Sequence, residues 1–165
     1  MKKSLLVVAA LCFAITASAQ QLSFKQDVQT TYSQAMLTIA KKYNNAQQVI
    51  QLADEKSGNI VVKALFTVVL PKGGSMRYDN SNGNIRYTMT ISQKDEETMT
   101  IEIENFIHET PSNLYEFGLI TTSETAPDVQ GPMSIKKWEA AVWKLLKDEC
   151  ASYSAELFSM FNQSK

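Results

Sequence analysis

Residues able to act as a nucleophile and its base are few in this sequence, which has one histidine and two cysteines. Cys150 and His108 could form a thiol–imidazole pair, but such a pair needs a third group to orient the imidazole, and none is evident. Cys150 also falls on the apolar stripe of a predicted helix, where a cysteine behaves as a small buried hydrophobe. The sequence therefore predicts an inert thiol and no catalytic residue.

A pair of glutamates is the second candidate for chemistry. Glu102 and Glu104 lie two residues apart on one face of a predicted strand, which separates them by roughly 7 Å. That separation suits the paired carboxylates of glycosidases, but acids at this spacing are common on solvated strands. A sugar site also needs aromatic platforms, and only Phe106 follows the pair. We therefore interpret the two glutamates as residues of a solvated strand face.

Metal and phosphate motifs are incomplete. The loop of residues 79–84 is rich in oxygen ligands, but an EF-hand glycine at Gly83 would put Tyr78 at the first ligand position. His108 lacks the second histidine of a zinc protease, and Gly73-Gly74 lacks the Gly-Lys-Ser/Thr of a phosphate loop. The sequence predicts neither a metal site nor a cofactor.

Composition and charge exclude further classes of protein. The chain has 165 residues, with 16 Lys and Arg against 17 Asp and Glu, and 44% of its residues are apolar. A near-neutral balance argues against a basic nucleic-acid-binding protein and against a highly charged disordered chain. The length suits a single domain with a buried core.

The first nineteen residues have the three parts of a secretory signal peptide. Lys2 and Lys3 form a positive start, residues 5–15 form an apolar run, and Ala17 and Ala19 form an A-x-A cleavage site. The apolar run is too short to span a bilayer, which takes about 20 residues. We expect cleavage between Ala19 and Gln20, and an exported protein that is periplasmic or secreted.

Cys12 offers an alternative, because a lipoprotein signal also ends at a cysteine. Leu11 precedes it where a small residue is required, and the apolar run continues beyond it, so we expect Cys12 to leave with the signal peptide. The remaining residues 20–165 carry 14 basic and 17 acidic residues, a net charge of −3, and one cysteine. No second segment is long and apolar enough to cross a membrane.

Two segments of the mature chain have helical periodicity. In residues 30–47 the apolar stripe consists of Tyr32, Met36, Ile39, Ala40 and Tyr43. Residues 134–163 form a longer predicted helix, with Ser134 suited to its N-cap. Its stripe consists of Ile135, Trp138, Val142, Leu145, Leu146, Cys150, Tyr153, Leu157, Met160 and Phe161.

Strands are predicted at residues 22–24, 49–53, 60–70, 85–92 and 98–108, the last three with alternating apolar and polar residues. In the last strand the apolar face holds Met99, Ile101, Ile103 and Ile107, and Asn105 interrupts it. The other face of these three strands is mostly polar. It is predicted to carry Lys63, Leu65, Thr67, Arg86, Thr88, Thr90, Glu102, Glu104, Phe106 and His108.

The last two strands should form a hairpin whose register follows from the apolar pattern. A two-residue loop would place Ile91 opposite Thr100, apolar against polar, because a shift of one residue exchanges the faces. We therefore predict an odd loop of residues 95–97. The resulting partners are Ile91 with Ile101, Met89 with Ile103, and Thr88 with Glu104. Arg86 would then lie one diagonal step from Glu104.

Residues 110–133 show no sustained period and contain a patch formed by Tyr115, Phe117, Leu119 and Ile120, which we expect to fix this long loop to the core. The order of elements is strand, helix, four strands, loop, helix. Strands that are apolar on one side and helices with one stripe predict an α+β, β-α-β4-α fold. Its single antiparallel sheet has both helices on one face.

These segments resemble a bacterial secreted family, the domain of unknown function with a TBP-like fold, over Asp27 to Glu109. The resemblance rests on TYSQAMLTIAKKYNNAQQVIQLADEKSGNIVVKALFTV, then NIRYTMTISQKD, then ENFIHE. The family's Lys-Asp-Gly-Arg-Tyr type turn is replaced here by Lys94-Asp95-Glu96-Glu97-Thr98. The resemblance implies the same β-α-β4-α, TBP-like fold and no activity. The fold is shared with a DNA-binding protein, but a fold does not carry a function.

The uncovered sheet face is where we expect binding, because two helices cover only one side. Its candidate residues are Leu65, Arg86, Glu102, Glu104, Phe106 and His108. An apolar residue on an open face is a natural anchor for a partner, and Phe106 is predicted to be that anchor. We predict a non-catalytic binding or envelope-associated module that contacts an envelope protein or a second copy. The alternative is an enzyme of an unrecognised type, which would show polar groups converging in a deep cleft.

Overall fold

The computed structural model describes residues 20–71, 79–112, 114–130 and 136–162. The predicted signal peptide, Cys12, Ser134 and Ile135 lie outside these residues. The elements are β1 (Phe24–Gln29), α1 (Tyr32–Lys42), α2 (Ala46–Val49), β2 (Ile50–Asp54), β3 (Asn59–Val68), β4 (Gly83–Gln93), β5 (Thr98–Glu109), β6 (Gly118–Leu119) and α3 (Lys136–Asn162). The predicted α+β architecture is confirmed.

All strand pairs are antiparallel, and the sheet order is β1-β5-β4-β3-β2. β1 pairs with the first half of β5, and the short β6 pairs with its second half. The predicted hairpin register is confirmed, with Ile91 opposite Ile101 and Met89 opposite Ile103. An odd loop keeps the apolar side chains of both strands on one face.

The first helical segment is shorter than predicted and is divided. Thr31 caps α1 with a complete capping box to Gln34, which satisfies two main-chain donors that the first turn leaves free. Tyr43 ends α1 in an extended conformation, with φ −110° and ψ 121°. A second, four-residue helix follows from Ala46 before β2. The first strand also differs from the prediction, because it begins at Phe24 rather than ending there.

The long helix α3 packs against α1, β1 and β5. The predicted stripe is buried at Trp138, Val142, Leu146, Cys150, Leu157 and Phe161 and half-buried at Leu145, Tyr153 and Met160. The helix also buries Glu139, Trp143, Ser154 and Phe158, which the predicted stripe did not include. Cys150 is fully buried, which confirms its predicted place on the apolar stripe of this helix. Among the described helices, none has the length and apolarity to span a membrane.

The loop after β5 is fixed to the core by its aromatic residues. Phe117 stacks on Trp143 with ring centroids 6.0 Å apart, and Tyr115 meets Trp138 edge-on at 5.3 Å. Both loop rings are less than 5% exposed. The expected role of this aromatic patch is therefore confirmed, apart from Leu119, which is 46% exposed.

The segment just after the predicted cleavage site is also paired. The main-chain N–H of Thr122 donates to the carbonyl of Gln20 at 2.8 Å, and that of Leu22 donates to Ile120 at 3.1 Å. Gln21 forms a bridge with Thr121. The first described residues are thus hydrogen-bonded to the segment that follows β6.

Candidate functional site

A β-bulge in β5 decides which side chains reach each face of the sheet. Thr88 pairs with Glu104, but Arg86 pairs with Ile107, so Tyr87 alone faces both Asn105 and Phe106. Asn105 has φ 58°, in the left-handed region that asparagine tolerates better than most residues. The extra residue reverses the alternation of side chains beyond this point.

Because of the bulge, the predicted exposure of Phe106 and His108 on the open face is wrong. Both side chains are fully buried on the helix side. Phe106 meets Phe24 edge-on, with ring centroids 5.8 Å apart, and lies 6.2 Å from Tyr87. Ile107, predicted to face the helices, points to the open face instead. The interruption at Asn105 was the signal in the sequence, since a mid-strand asparagine that breaks the apolar pattern often marks a bulge.

His108 links three parts of the chain through both ring nitrogens. The main-chain N–H of Phe117 donates to Nδ1 at 3.2 Å, so Nε2 carries the proton and donates to the carbonyl of Ser81 at 3.0 Å. The imidazole is therefore neutral, and burial lowers its pKa. These bonds make it a structural residue of the core.

Three tyrosine hydroxyls meet between the helices and the sheet. Tyr87 Oη lies 2.5 Å from that of Tyr43 and 3.2 Å from that of Tyr153. Burial raises the pKa of Tyr43 and of Tyr87, so both phenols stay protonated. Tyr153 also stacks on Phe66, with ring centroids 4.1 Å apart. The cluster joins α1 and α3 to the sheet through satisfied hydroxyl groups.

The open face carries a row of mainly apolar side chains across four strands. Leu65 on β3 opposes Arg86 on β4, Arg86 opposes Ile107 on β5, and Ile107 opposes Leu119 on β6. Leu65 is 52% exposed. We call these four residues the apolar row. It is the bulge at Asn105 that places Ile107 in it.

Three opposite-sign pairs of charges lie on this face, and Lys63 and Glu104 add one charge of each sign. Lys25 contacts Glu102 at 3.2 Å, Arg86 pairs with Glu109, and Lys94 pairs with Asp27. The hydrogen bond from Lys94 and that from Thr100 lower the pKa of Asp27. The predicted neighbour of Arg86 was Glu104, but the bulge moves that residue away and brings Glu109 within reach. The face is therefore close to neutral, with no strong field for an ion.

A groove of about 640 Å³ lies beside three residues of the apolar row, Leu65, Arg86 and Ile107. Its lining residues are Tyr43, Val49, Lys63, Ala64, Leu65, Arg86, Tyr87, Thr88, Asn105 and Ile107. The volume falls in the range of ordinary ligand sites. Tyr43 and Val49, which precede β2 in the chain, are the lining residues outside the sheet.

Four of the six predicted binding residues thus lie on the open face. Leu65 and Arg86 line the groove, and Glu102 and Glu104 lie on the same side of β5. Sequence reasoning missed Ile107, whose face the bulge changes, and Leu119, whose strand has only two residues. A strand that short has no period to detect.

Among the described residues, the side chains that could bind a metal lie apart from one another, and the cysteine that could act as a nucleophile is buried. The described residues include no group of three His, Cys, Asp or Glu side chains placed to hold a metal ion. Cys150 is buried, which raises the pKa of its thiol. Asp79 is exposed, while Asn82 uses its Oδ1 to accept the main-chain N–H of Leu70 at 2.8 Å. The side chain of Asn82 in this loop therefore stabilises the end of the segment that follows β3.

Comparison with known proteins identifies relatives of the fold. Residues 23–109 match a family model described as a domain of unknown function (DUF4468) with TBP-like fold. A TBP-like protein from Parabacteroides distasonis is similar in structure, with a TM-score of 0.52, 16% identity, and coverage of 88% of this chain and 95% of that chain. A DUF4468 family protein from Bacteroides ovatus has a TM-score of 0.44 and 14% identity, over 84% of this chain and 86% of that one. A search of curated proteins found no match.

Proposed function

This chain belongs to the DUF4468 family of domains with a TBP-like fold, and on that premise we propose that it is an exported, non-catalytic binding module. In this proposal the apolar row on the open sheet face contacts a partner protein of the cell envelope. Catalysis has no part in it.

The observation that carries the proposal is the apolar row itself. Leu65, Ile107 and Leu119 lie in line across the sheet, and the arginine between them is neutralised by Glu109. Exposed apolar residues that adjoin one another favour a contact surface. A nearly neutral surround favours an apolar partner over an ionic ligand.

The positions of the reactive residues support a role without catalysis. Both ring nitrogens of His108 are hydrogen-bonded to main-chain groups, and Cys150 is buried on the apolar stripe of α3. Neither faces the groove. The groove itself is lined by aliphatic, aromatic, amide, hydroxyl and cationic groups, which suit binding.

Export rests on the sequence of the first nineteen residues, with its positive start, apolar run and A-x-A site. Mass spectrometry of protein from the cell envelope or the medium should find a mature N-terminus at Gln20 or Gln21. An intact Met1, or an acylated Cys12, would contradict export by this route.

Capture of envelope proteins by the purified protein tests the binding surface. Leu119→Asp places a charge in the apolar row, so it should abolish capture of the specific partner while leaving the circular dichroism spectrum unchanged. Leu37→Asp is the matched control, because Leu37 is 53% exposed but lies on α1. If both variants capture the same proteins as the unaltered chain, the apolar row is not the binding surface.

A further inference from the structure

Strand β3 is only half covered on the side away from β4. It pairs with β4 over its whole length, from Asn59 to Val68, whereas β2 reaches only as far as Val62. Among the described residues, no strand pairs with Leu65–Val68 on this side. In the part of the chain that the structure describes, the main-chain groups along this edge therefore have no strand partner and could pair with a further strand.

The other outer edges of the sheet carry features that discourage pairing. β1 bears Lys25 and Asp27, and its Gln29 N–H is bound by Asn162 of α3 at 3.3 Å. β2 contains an irregularity between Ile50 and Leu52. Charges, bulges and covering helices are the usual protections of an edge strand.

Within the described ranges, the β3 edge from Leu65 to Val69 carries no such feature. The run from Leu65 to Val69 contains no charged residue, glycine or proline, and is rich in residues that favour strands. Val69 is 69% exposed, more than any other large apolar residue among those described, and Leu65 is 52% exposed. An unguarded apolar edge in a folded protein indicates an interface.

We propose that this edge pairs, antiparallel, with the same edge of a second copy of the chain. A two-fold axis at Thr67 places Thr67 opposite its own counterpart, Leu65 opposite Val69, and Phe66 opposite Val68. Residues that oppose one another in an antiparallel pair share a face. On each face of the sheet, the axis therefore places two apolar pairs opposite one another. The two copies of Thr67 meet at its centre.

The neighbouring elements select this register. An axis at Leu65 would bring the partner's Val68 to the place where Ile50 already pairs with Val62. An axis at Phe66 would oppose Lys63 to Val69, cation against apolar. At Thr67 the pairing ends before Pro71, which cannot donate to a ladder. The interface is isologous, as expected for a closed dimer.

This inference does not rest on the proposed function, although both involve Leu65. Pairing at β3 leaves Ile107 and Leu119 uncovered, since they lie on β5 and β6. The sheets of the two copies would then form one continuous sheet across the axis. Each copy would keep its own Ile107 and Leu119 exposed for a partner.

Sedimentation velocity over a range of protein concentrations tests the dimer. The unaltered protein should sediment as a dimer, and Val69→Lys should make it a monomer, because the lysine would face Leu65 of the partner. Leu52→Lys is the matched control: Leu52 is 49% exposed on the same sheet face, but on β2. A monomer at every concentration would overturn the proposal, as would a dimer that survives Val69→Lys or is lost with Leu52→Lys.

Cysteine cross-linking tests the register and does not depend on the folding of Val69→Lys. Directly opposed residues have Cβ atoms about 4.5–5.5 Å apart, close enough for a disulfide after a small shift. Thr67→Cys should therefore give a covalent dimer on mild oxidation. Thr90→Cys, in the middle of the same face, should not, and buried Cys150 should not interfere. Failure of Thr67→Cys to cross-link, or equal cross-linking by both variants, would overturn the two-fold axis at Thr67.

Discussion

The main-chain N–H of Phe117 donates a hydrogen bond to Nδ1 of His108 across 3.2 Å. That bond requires an unprotonated Nδ1, and the opposite nitrogen is held by the carbonyl of Ser81. One neutral imidazole thus joins β5 to the turn before β4 and to the loop before β6. Protonation would add a second donor where the protein already supplies a donor.

The stability of the fold should therefore depend on pH through this single histidine. Burial lowers the folded pKa of His108 below the value of about 6.5 expected in an unfolded chain. The unfolded state then binds more protons as the pH falls, so the stabilisation is complete above about pH 6.5 and is lost as the pH falls towards the folded pKa. Urea denaturation at several pH values should show this decline. His108→Gln should lower the free energy of unfolding by about 1–3 kcal/mol near neutral pH and flatten the dependence. An unchanged slope would mean that His108 is not the titrating group.

Phe106 should behave as a core residue and Leu65 as a surface residue. Phe106→Ala removes a fully buried ring, so we expect a loss of about 3–5 kcal/mol in the free energy of unfolding. Leu65→Ala on the open face should cost less than about 1 kcal/mol. Chemical denaturation of both variants gives the comparison. Equal losses would contradict the reversal of faces at the bulge.

The effect of a substitution at Asn105 on stability should depend on whether the new residue tolerates a positive φ. At φ 58°, Asn105→Gly should be nearly neutral, because glycine enters the left-handed region without steric cost. Asn105→Val should destabilise the protein by about 1–3 kcal/mol. Thr90→Val, on the neighbouring strand β4, is the control for adding a β-branched apolar residue. Valine tolerated equally at both positions would argue against the bulge.

The thiol of Cys150 should be slow to react in the native protein. It is fully buried on α3, and burial raises its pKa, so little thiolate is present and access is closed. Alkylation followed by mass spectrometry should be much slower in the native protein than in denaturant. Cys150→Ala should remove the modification and lower stability modestly. Equal rates in both conditions would place the thiol at the surface.

The sequence was sufficient for the architecture because its strands alternate cleanly and its long helix has one stripe. It also determined the hairpin register, since only an odd loop keeps Ile91 and Ile101 on one face. The site could be predicted only in part. Beyond Asn105 an unbroken alternation was assumed, and one extra residue was enough to exchange Phe106 with Ile107. The pairing of β6 with β5 was missed because a strand of two residues is too short to show a period.

The pairing of β1 with β5 has a consequence for the order of folding. Asp27 and Thr100 share a hydrogen bond across 73 residues of chain, whereas the β4–β5 hairpin closes through a short loop. Closing a long loop costs more conformational entropy, so the β3-β4-β5 meander should form first and β1 should dock late. Until then the outer edge of β5 is bare and open to pairing with other chains. Substitutions in β1 such as Val28→Ala should then speed unfolding while leaving the folding rate nearly unchanged, and a slowed folding rate in stopped-flow measurements would contradict late docking.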